Sequence, residues 1–200
     1  MCLRTTAILA TAAAATSILL LAGCGDSASE ASPSTATSTT AARLAAPRAA
    51  SRPACLPNCA NADLRSMTLQ GEYLVNADFS GADLSDAYLI AGPFLIRTNF
   101  TGANLSRAHV VEGQFQMVNF AGANLTRVTF GAMLGIGANF TDANLTDAMF
   151  VSVQASQLNF TGANLTGARI RDTFFGRSTF SNTTCPNGTV TNTGCWPRGR

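Results

Sequence analysis

A repeat with a period of five residues dominates the chain between residues 62 and 182. The segment Asn99–Ser106 recurs twenty residues later from Asn119, and again from Asn139 and Asn159. Within each of these longer units, a large apolar residue returns at most of the fifth positions, and a small residue usually lies two positions before it. A period of five matches neither the 3.6 residues of a helix nor the two residues of a strand. It indicates a chain that bends every five residues, so that four short sides close a square coil.

Aligning the sequence on the longer unit predicts four inward columns of side chains. Columns three and four vary together, since a large residue in one is accompanied by a smaller residue in the other, as in the pair Phe130 and Gly135. An interior of constant width requires this exchange of volume, because close-packed cores tolerate neither voids nor excess. Column one is Phe79, Phe100, Phe120, Phe140, Phe160 and Phe180; column two is Leu64, Leu84, Leu105, Leu125, Leu145 and Leu165.

The pattern closely resembles the pentapeptide-repeat family. The resemblance implies an all-β fold, a right-handed four-sided parallel β-helix, in about six coils of twenty residues each. The register shifts once, because Phe79 and Phe100 are one residue further apart than Phe100 and Phe120. The extra residue lies near Gly92, and the sequence leaves open whether Phe94 or Leu95 points inward.

The N-terminus predicts export and lipid anchoring. Residues 1–23 have the positive start and short apolar stretch of a signal peptide. The end of this stretch together with the next residue, Leu21–Cys24 (Leu-Ala-Gly-Cys), resembles a bacterial lipobox. This resemblance implies that Cys24 carries a diacylglyceryl anchor and that the protein is a membrane lipoprotein on the extracytoplasmic face. The alternative is an ordinary secretory cleavage nearby. Residues 24–54, rich in Ser, Thr, Ala and Pro, are expected to form a disordered tether.

Four cysteines lie at the two ends of the repeat: Cys55, Cys59, Cys185 and Cys195. We expect a β-helix over residues 55–185 with an N-terminal Cys cap, and a C-terminal tail or cap over 186–200. Four cysteines allow three disulfide connectivities. Nearness along the chain favours Cys55–Cys59 and Cys185–Cys195, and an exported location permits both. No metal site or cofactor is expected.

Charge and composition argue against nucleic-acid binding. The net charge is +2 and Lys is absent, so the chain lacks the basic patch that holds a phosphate backbone. The single histidine, His109, has no evident catalytic partner, so no catalytic residue and no small-molecule substrate is expected. Some pentapeptide-repeat proteins imitate DNA and bind gyrase, which protects against quinolones. That role relies on a strongly acidic rod, whereas residues 55–200 hold nine Asp or Glu and nine Arg.

Outward positions of sides three and four predict an apolar interaction patch. A contiguous apolar strip on a protein surface often marks an interface. The alternative is that these residues merely suit strand positions. The patch comprises Tyr88, Val111, Leu134, Ile136, Met149, Val151 and Phe174. The sequence therefore predicts a non-enzymatic, lipid-anchored extracytoplasmic structural or interaction module, which binds an unknown protein or a second copy. A gyrase-binding DNA mimic is the alternative.

Overall fold

The computed structural model describes residues 52–70, 74–90 and 95–195, and these residues form a parallel β-solenoid. This confirms the expected all-β fold with a repeat of about twenty residues. Cys24, the signal peptide, most of the tether and Phe94 lie outside the described residues. The strands are β1 (Thr68–Gln70), β2 (Tyr88–Ile90), β3 (Leu95–Ile96), β4 (His109–Gln116), β5 (Thr129–Ile136), β6 (Met149–Val151), β7 (Gln154–Ser156), β8 (Arg169–Arg171), β9 (Phe174–Gly176), β10 (Thr183–Thr184) and β11 (Val190–Thr191).

The five-residue period arises from the backbone at the corners. From Arg97 to Asn182, every fifth residue has a positive φ, between 49° and 72°. On sides one and two, each corner is a β-turn, closed for example by a hydrogen bond from the Ala103 N–H to the Phe100 carbonyl, 3.0 Å long. A positive φ at the third position of such a turn favours glycine, and Gly102 (φ 64°) occupies it here.

Two kinds of pairing hold successive coils together. Sides one and two pair through single residues, such as Asn99 with Asn119 and Asn119 with Asn139. Sides three and four pair through strands. Side three contains β2, β6 and β8, side four contains β3, β7 and β9, and β4 and β5 each run across both of these sides. We call the part of one coil that lies on one side a rung.

Stacked phenylalanines fill the interior of side one, as the sequence predicted. Successive rings from Phe79 to Phe180 lie 5.1–5.2 Å apart and are nearly parallel. The leucines of side two, from Leu64 to Leu165, are all buried. Identical side chains in register can therefore stack throughout the coils of this half.

On sides three and four, volume is exchanged between coils as well as within one coil. Phe115 pairs with Gly135 on the next coil, and a Cβ atom at Gly135 would collide with the ring of Phe115. Met133, two positions before Gly135, is also buried. The sequence predicted only exchange within a coil, because the tilt of a ring toward the neighbouring rung cannot be inferred from spacing.

The pairing also locates the extra residue in the register. Leu89 pairs with Val110, whereas Leu95 pairs with Phe115, so the second pair is one residue closer in sequence than the first. The insertion therefore lies between Ile90 and Leu95. The Leu95 side chain is fully buried, so Leu95 occupies the inward position that the sequence left open.

Disulfides close both ends of the described solenoid. Cys55 is bonded to Cys59 and Cys185 to Cys195, with Cα–Cα distances of 4.9 and 5.2 Å. At the C-terminal end, β10 and β11 form an antiparallel pair, in contrast to the parallel pairing of the coils. Cys59 and Cys185 are both buried against the ends of the core.

Candidate interaction surface

The predicted patch residues lie on the outer surface of sides three and four, but they differ in exposure. Leu134 and Phe174 are more than half exposed, at 54% and 56%, and Tyr88 and Ile136 are less exposed, at 38% and 41%. Val111, Met149 and Val151 are half-buried. The structure thus presents apolar surface at these positions, most strongly on side four.

On side three, the strand register brings aliphatic residues into one column. Ile90 pairs with Val111, Val111 with Gly131, and Gly131 with Val151. Ile90 is exposed but was missing from the predicted patch. The repeat could have identified it, because Ile90 directly follows an inward leucine just as Val111 directly follows an inward valine. Met117, exposed at the corner that follows side four, was also missed.

The strand register and the corners set the order of the residues within the patch. On side four, Gln154 stands between Leu134 and Phe174 in the register. The corner residue Ala132 separates the outward residues of side three from those of side four. Sequence spacing identifies which residues point outward, but the order of residues across rungs decides which of them touch.

An aromatic pair lies at the N-terminal part of side three. The rings of Tyr88 and His109 are 4.7 Å apart and nearly parallel, because the two residues are register partners. His109 is half-buried in this stack. The sequence placed His109 at an outward position but did not predict its ring partner.

Ion pairs border side three at the corner with side two. The Arg107 guanidinium donates two hydrogen bonds to Asp86, of 2.7 and 2.6 Å. These bonds hold the pKa of the Asp86 carboxyl below its usual range. Further along, Arg127 Nε lies 3.7 Å from Asp147 Oδ2. Both pairs are about half exposed, so each adds little to the stability of the fold.

A shallow depression of about 370 Å³ opens beside the second ion pair, lined by Arg127, Thr129, Asp147, Met149 and Arg169. Within residues 52–70, 74–90 and 95–195, no group of three or more His, Cys, Asp or Glu side chains could hold a metal ion. The same part of the chain contains no helix long and apolar enough to cross a bilayer.

Asparagines on the outside of sides one and two form hydrogen-bonded ladders. The Asn139 amide donates to Asn119 Oδ1 at 3.0 Å, and the Asn124 amide donates to Asn104 Oδ1 at 3.1 Å. Three amides donate to threonine hydroxyls of the preceding coil: Asn119 to Thr101 Oγ1, Asn159 to Thr141 Oγ1 and Asn164 to Thr146 Oγ1, at 2.8, 3.0 and 3.3 Å. These side chains connect one coil to the next and give the described part of sides one and two a polar outer surface.

The pentapeptide-repeat model matches this chain in eight copies, over residues 58–90, 95–131, 114–150, 136–167 and 159–193. Together these segments cover more than half of the chain. The chain belongs to the pentapeptide-repeat family. This pentapeptide-repeat protein has no significant match among curated protein sequences.

Several solved pentapeptide-repeat structures resemble this pentapeptide-repeat protein. HetL from the cyanobacterium Nostoc sp. strain PCC 7120, involved in heterocyst differentiation regulation, is 22% identical with a TM-score of 0.33. The alignment covers 67% of this chain and 62% of HetL, so the chain spans less than two thirds of that relative. Trypsin-treated QnrB1, a plasmid-mediated fluoroquinolone resistance protein, is 16% identical over 60% of this chain and 72% of its own, with a TM-score of 0.42. Rfr23 from the cyanobacterium Cyanothece 51142 is 24% identical over 54% of this chain and 63% of Rfr23, with a TM-score of 0.32.

Proposed function

We propose that this pentapeptide-repeat protein is a lipid-anchored, extracytoplasmic interaction module without catalytic activity. The anchor is a diacylglyceryl group on Cys24, and residues 24–54 tether the solenoid to the membrane. The contact surface is the apolar patch of sides three and four, which binds another protein or a second copy. Membership of the pentapeptide-repeat family establishes only the solenoid fold. The function is our proposal.

The observation that carries the proposal is the uneven distribution of exposed apolar side chains. Tyr88, Ile90, Leu134, Ile136 and Phe174 are all exposed outward residues of sides three and four, and Met117 lies at the corner of side four. Sides one and two present mainly Asn, Thr, Ser and Asp at the corresponding positions. Exposed apolar surface that is concentrated on one half of a molecule is typical of an interface.

The two disulfides support an oxidising compartment. Disulfides persist in exported proteins and are rare in the bacterial cytosol. Cys55–Cys59 and Cys185–Cys195 close the two ends of the solenoid, where the described residues provide no further coil to cover the core. This arrangement agrees with export through the N-terminal segment that ends at Cys24.

Fractionation of bacterial cells tests the anchor. We expect the wild-type protein in the membrane fraction and the Cys24→Ser variant in the soluble extracytoplasmic fraction. Cys2→Ser is the matched control, because Cys2 lies within the predicted signal peptide, and this variant should remain membrane-bound. A wild-type protein in the cytosol would overturn the proposal and would favour the gyrase-binding alternative.

A second experiment tests the contact surface. Ile136→Asp places a charge in the patch, and Val190→Asp places one on the C-terminal cap, where Val190 is 62% exposed. Cross-linking in cells followed by mass analysis should show an adduct for wild type and Val190→Asp that is lost in Ile136→Asp. The same adduct in all three proteins would exclude the patch as the contact surface.

A further inference from the structure

The last rungs of sides three and four leave a strand edge at the C-terminal end. Among the described residues, β8 pairs only with β6, and β9 pairs only with β7. The inward side chain of β8, Ile170, is half-buried, whereas its register partner Phe150 on the preceding coil is only 2% exposed. An edge strand of this kind is a template to which another extended chain can add.

Two arginines flank the inward residue of this edge. Arg169 and Arg171 both point outward and are exposed, on either side of Ile170. Their partners on the preceding rung are the apolar Met149 and Val151. An added parallel strand would present two outward residues opposite these arginines and one inward residue over Ile170, as every internal rung does.

Two arginines at corners of the solenoid show how a carboxylate on a neighbouring coil can match a guanidinium. Arg107 pairs with Asp86 on the preceding coil, and Arg127 approaches Asp147 on the following coil. Arg169 and Arg171 have no carboxylate oxygen within 4.0 Å among the described residues. A next rung with carboxylates at both outward positions would complete the same cross-rung pairing.

The composition of residues 196–200 offers no acidic match for these arginines. They are Trp-Pro-Arg-Gly-Arg, which contain no carboxylate side chain. In a second copy docked through the same edge, Arg169 and Arg171 of the two molecules would face each other, and like charges in opposite positions destabilise a strand pair. Charge complementarity therefore points to a different, acidic partner.

We propose that the β8 edge binds an extended segment of a partner protein with an acidic–apolar–acidic sequence. The two carboxylates pair with Arg169 and Arg171, and the apolar residue covers Ile170. This inference rests on the proposed role as an interaction module and adds a second contact, at the end of the solenoid, to the patch. Unlike the anchor, it does not depend on Cys24.

A peptide built from an internal rung tests the site. The probe is an acetylated and amidated peptide with the sequence of residues 108–116 that carries His109→Glu and Val111→Glu. It is titrated into the disulfide-bonded full chain with Cys24→Ser, and the β8 amide signals are followed by NMR. We expect saturable shifts at Ile170 and slower hydrogen exchange of its amide. A control peptide with Gln in place of both new Glu residues should bind about twofold to thirtyfold more weakly, since cross-strand charge pairs contribute about 0.2–1 kcal/mol each.

Protein variants complete the test. Arg169→Gln with Arg171→Gln should abolish the preference for Glu over Gln, whereas Arg97→Gln, an exposed arginine at another corner, should leave that preference unchanged. The pair Arg169→Glu and Arg171→Glu should instead prefer a peptide with Lys at the two positions. Equal affinity for the Glu and Gln peptides, shifts that map away from β8, or dimerisation through this edge without peptide would each overturn the proposal. If the wild-type protein were soluble in cells, the proposed lipid anchor would be wrong, whereas peptide binding at the β8 edge would be unaffected.

Discussion

Sides one and two of the solenoid repeat nearly the same residues on every coil, whereas sides three and four change from coil to coil. The first half stacks Phe on Phe and Leu on Leu, with asparagines outside. The second half combines Val, Phe, Gly, Ala and Ile in its interior, and its outer surface mixes apolar residues with Gln and Arg. Single bridges and β-turns hold the first half, and strands hold the second.

The difference shows how one repeat can serve structure and recognition at once. Turns and amide ladders tie the residues of sides one and two to specific hydrogen-bond partners, so few substitutions are compatible with them. On sides three and four the backbone pairs as a strand, and the outward side chains are not needed for that pairing. Those positions can therefore present apolar or basic groups to a partner.

The largest loss of stability is expected when an aromatic ring is added to the packed interior of side four. Gly135→Phe should prevent folding, because even a Cβ atom at this position collides with the Phe115 ring. Circular dichroism and thermal melting would measure the loss. In a double-mutant cycle, Gly135→Ala should cost less in a Phe115→Ala background than in wild type, since removal of the Phe115 ring frees the space of the added Cβ atom. Wild-type melting of the Gly135→Phe variant would contradict the column assignment.

A phenylalanine of the regular half should matter far more than one of the exposed half. Phe120 is buried and stacks against Phe100 and Phe140. Phe120→Ala should cost about 3–5 kcal/mol in the free energy of unfolding. The matched change Phe174→Ala, at an exposed position, should stay within about 0.5 kcal/mol. Denaturant titration compares the two, and similar losses would remove the distinction between the halves.

The amide ladder should contribute a smaller amount. The Asn119 amide donates to Thr101 Oγ1 at 2.8 Å, and its oxygen accepts from the Ala121 N–H and the Asn139 amide. Asn119→Ala should cost about 1–2 kcal/mol, because a typical hydrogen bond adds about 0.5–1.5 kcal/mol net. Gln114→Ala, exposed on side four, is the control and should change stability by less than about 0.5 kcal/mol. Equal effects of the two substitutions would show that the ladder is not stabilising.

The smallest effect is expected in the dependence of stability on pH. Bonding to Arg107 lowers the pKa of Asp86, and the Ser80 backbone N–H, 3.0 Å from the Asp78 carboxylate, lowers the pKa of Asp78. Because both folded pKa values lie below the unfolded value of about 3.9, this stabilisation is complete above that pH and is lost as pH falls through the folded values. Arg107→Gln should reduce the acid-dependent loss seen in denaturant titrations at successive pH values. If the free energy of unfolding changed with pH as steeply in the variant as in wild type, the Arg107–Asp86 pair would not cause that dependence.

The repeat, the inward columns and the pairing of each coil with the next follow from the amino-acid sequence. A period of five, with large residues at most of the centres, admits few other folds, because only a chain that bends at each interval buries all the centres together. The cysteine spacing likewise indicated the two short disulfides that the structure forms.

The packing of side chains between neighbouring rungs became evident from the structure. It placed Leu95 inward, put the ring of Phe115 over Gly135, stacked Tyr88 on His109 and set Gln154 between Leu134 and Phe174 on side four. It also left Arg169 and Arg171 on a terminal strand edge. These features depend on ring orientation and on the partner one coil away. Spacing along the chain specifies which residues align, but not how their side chains fill the space between them.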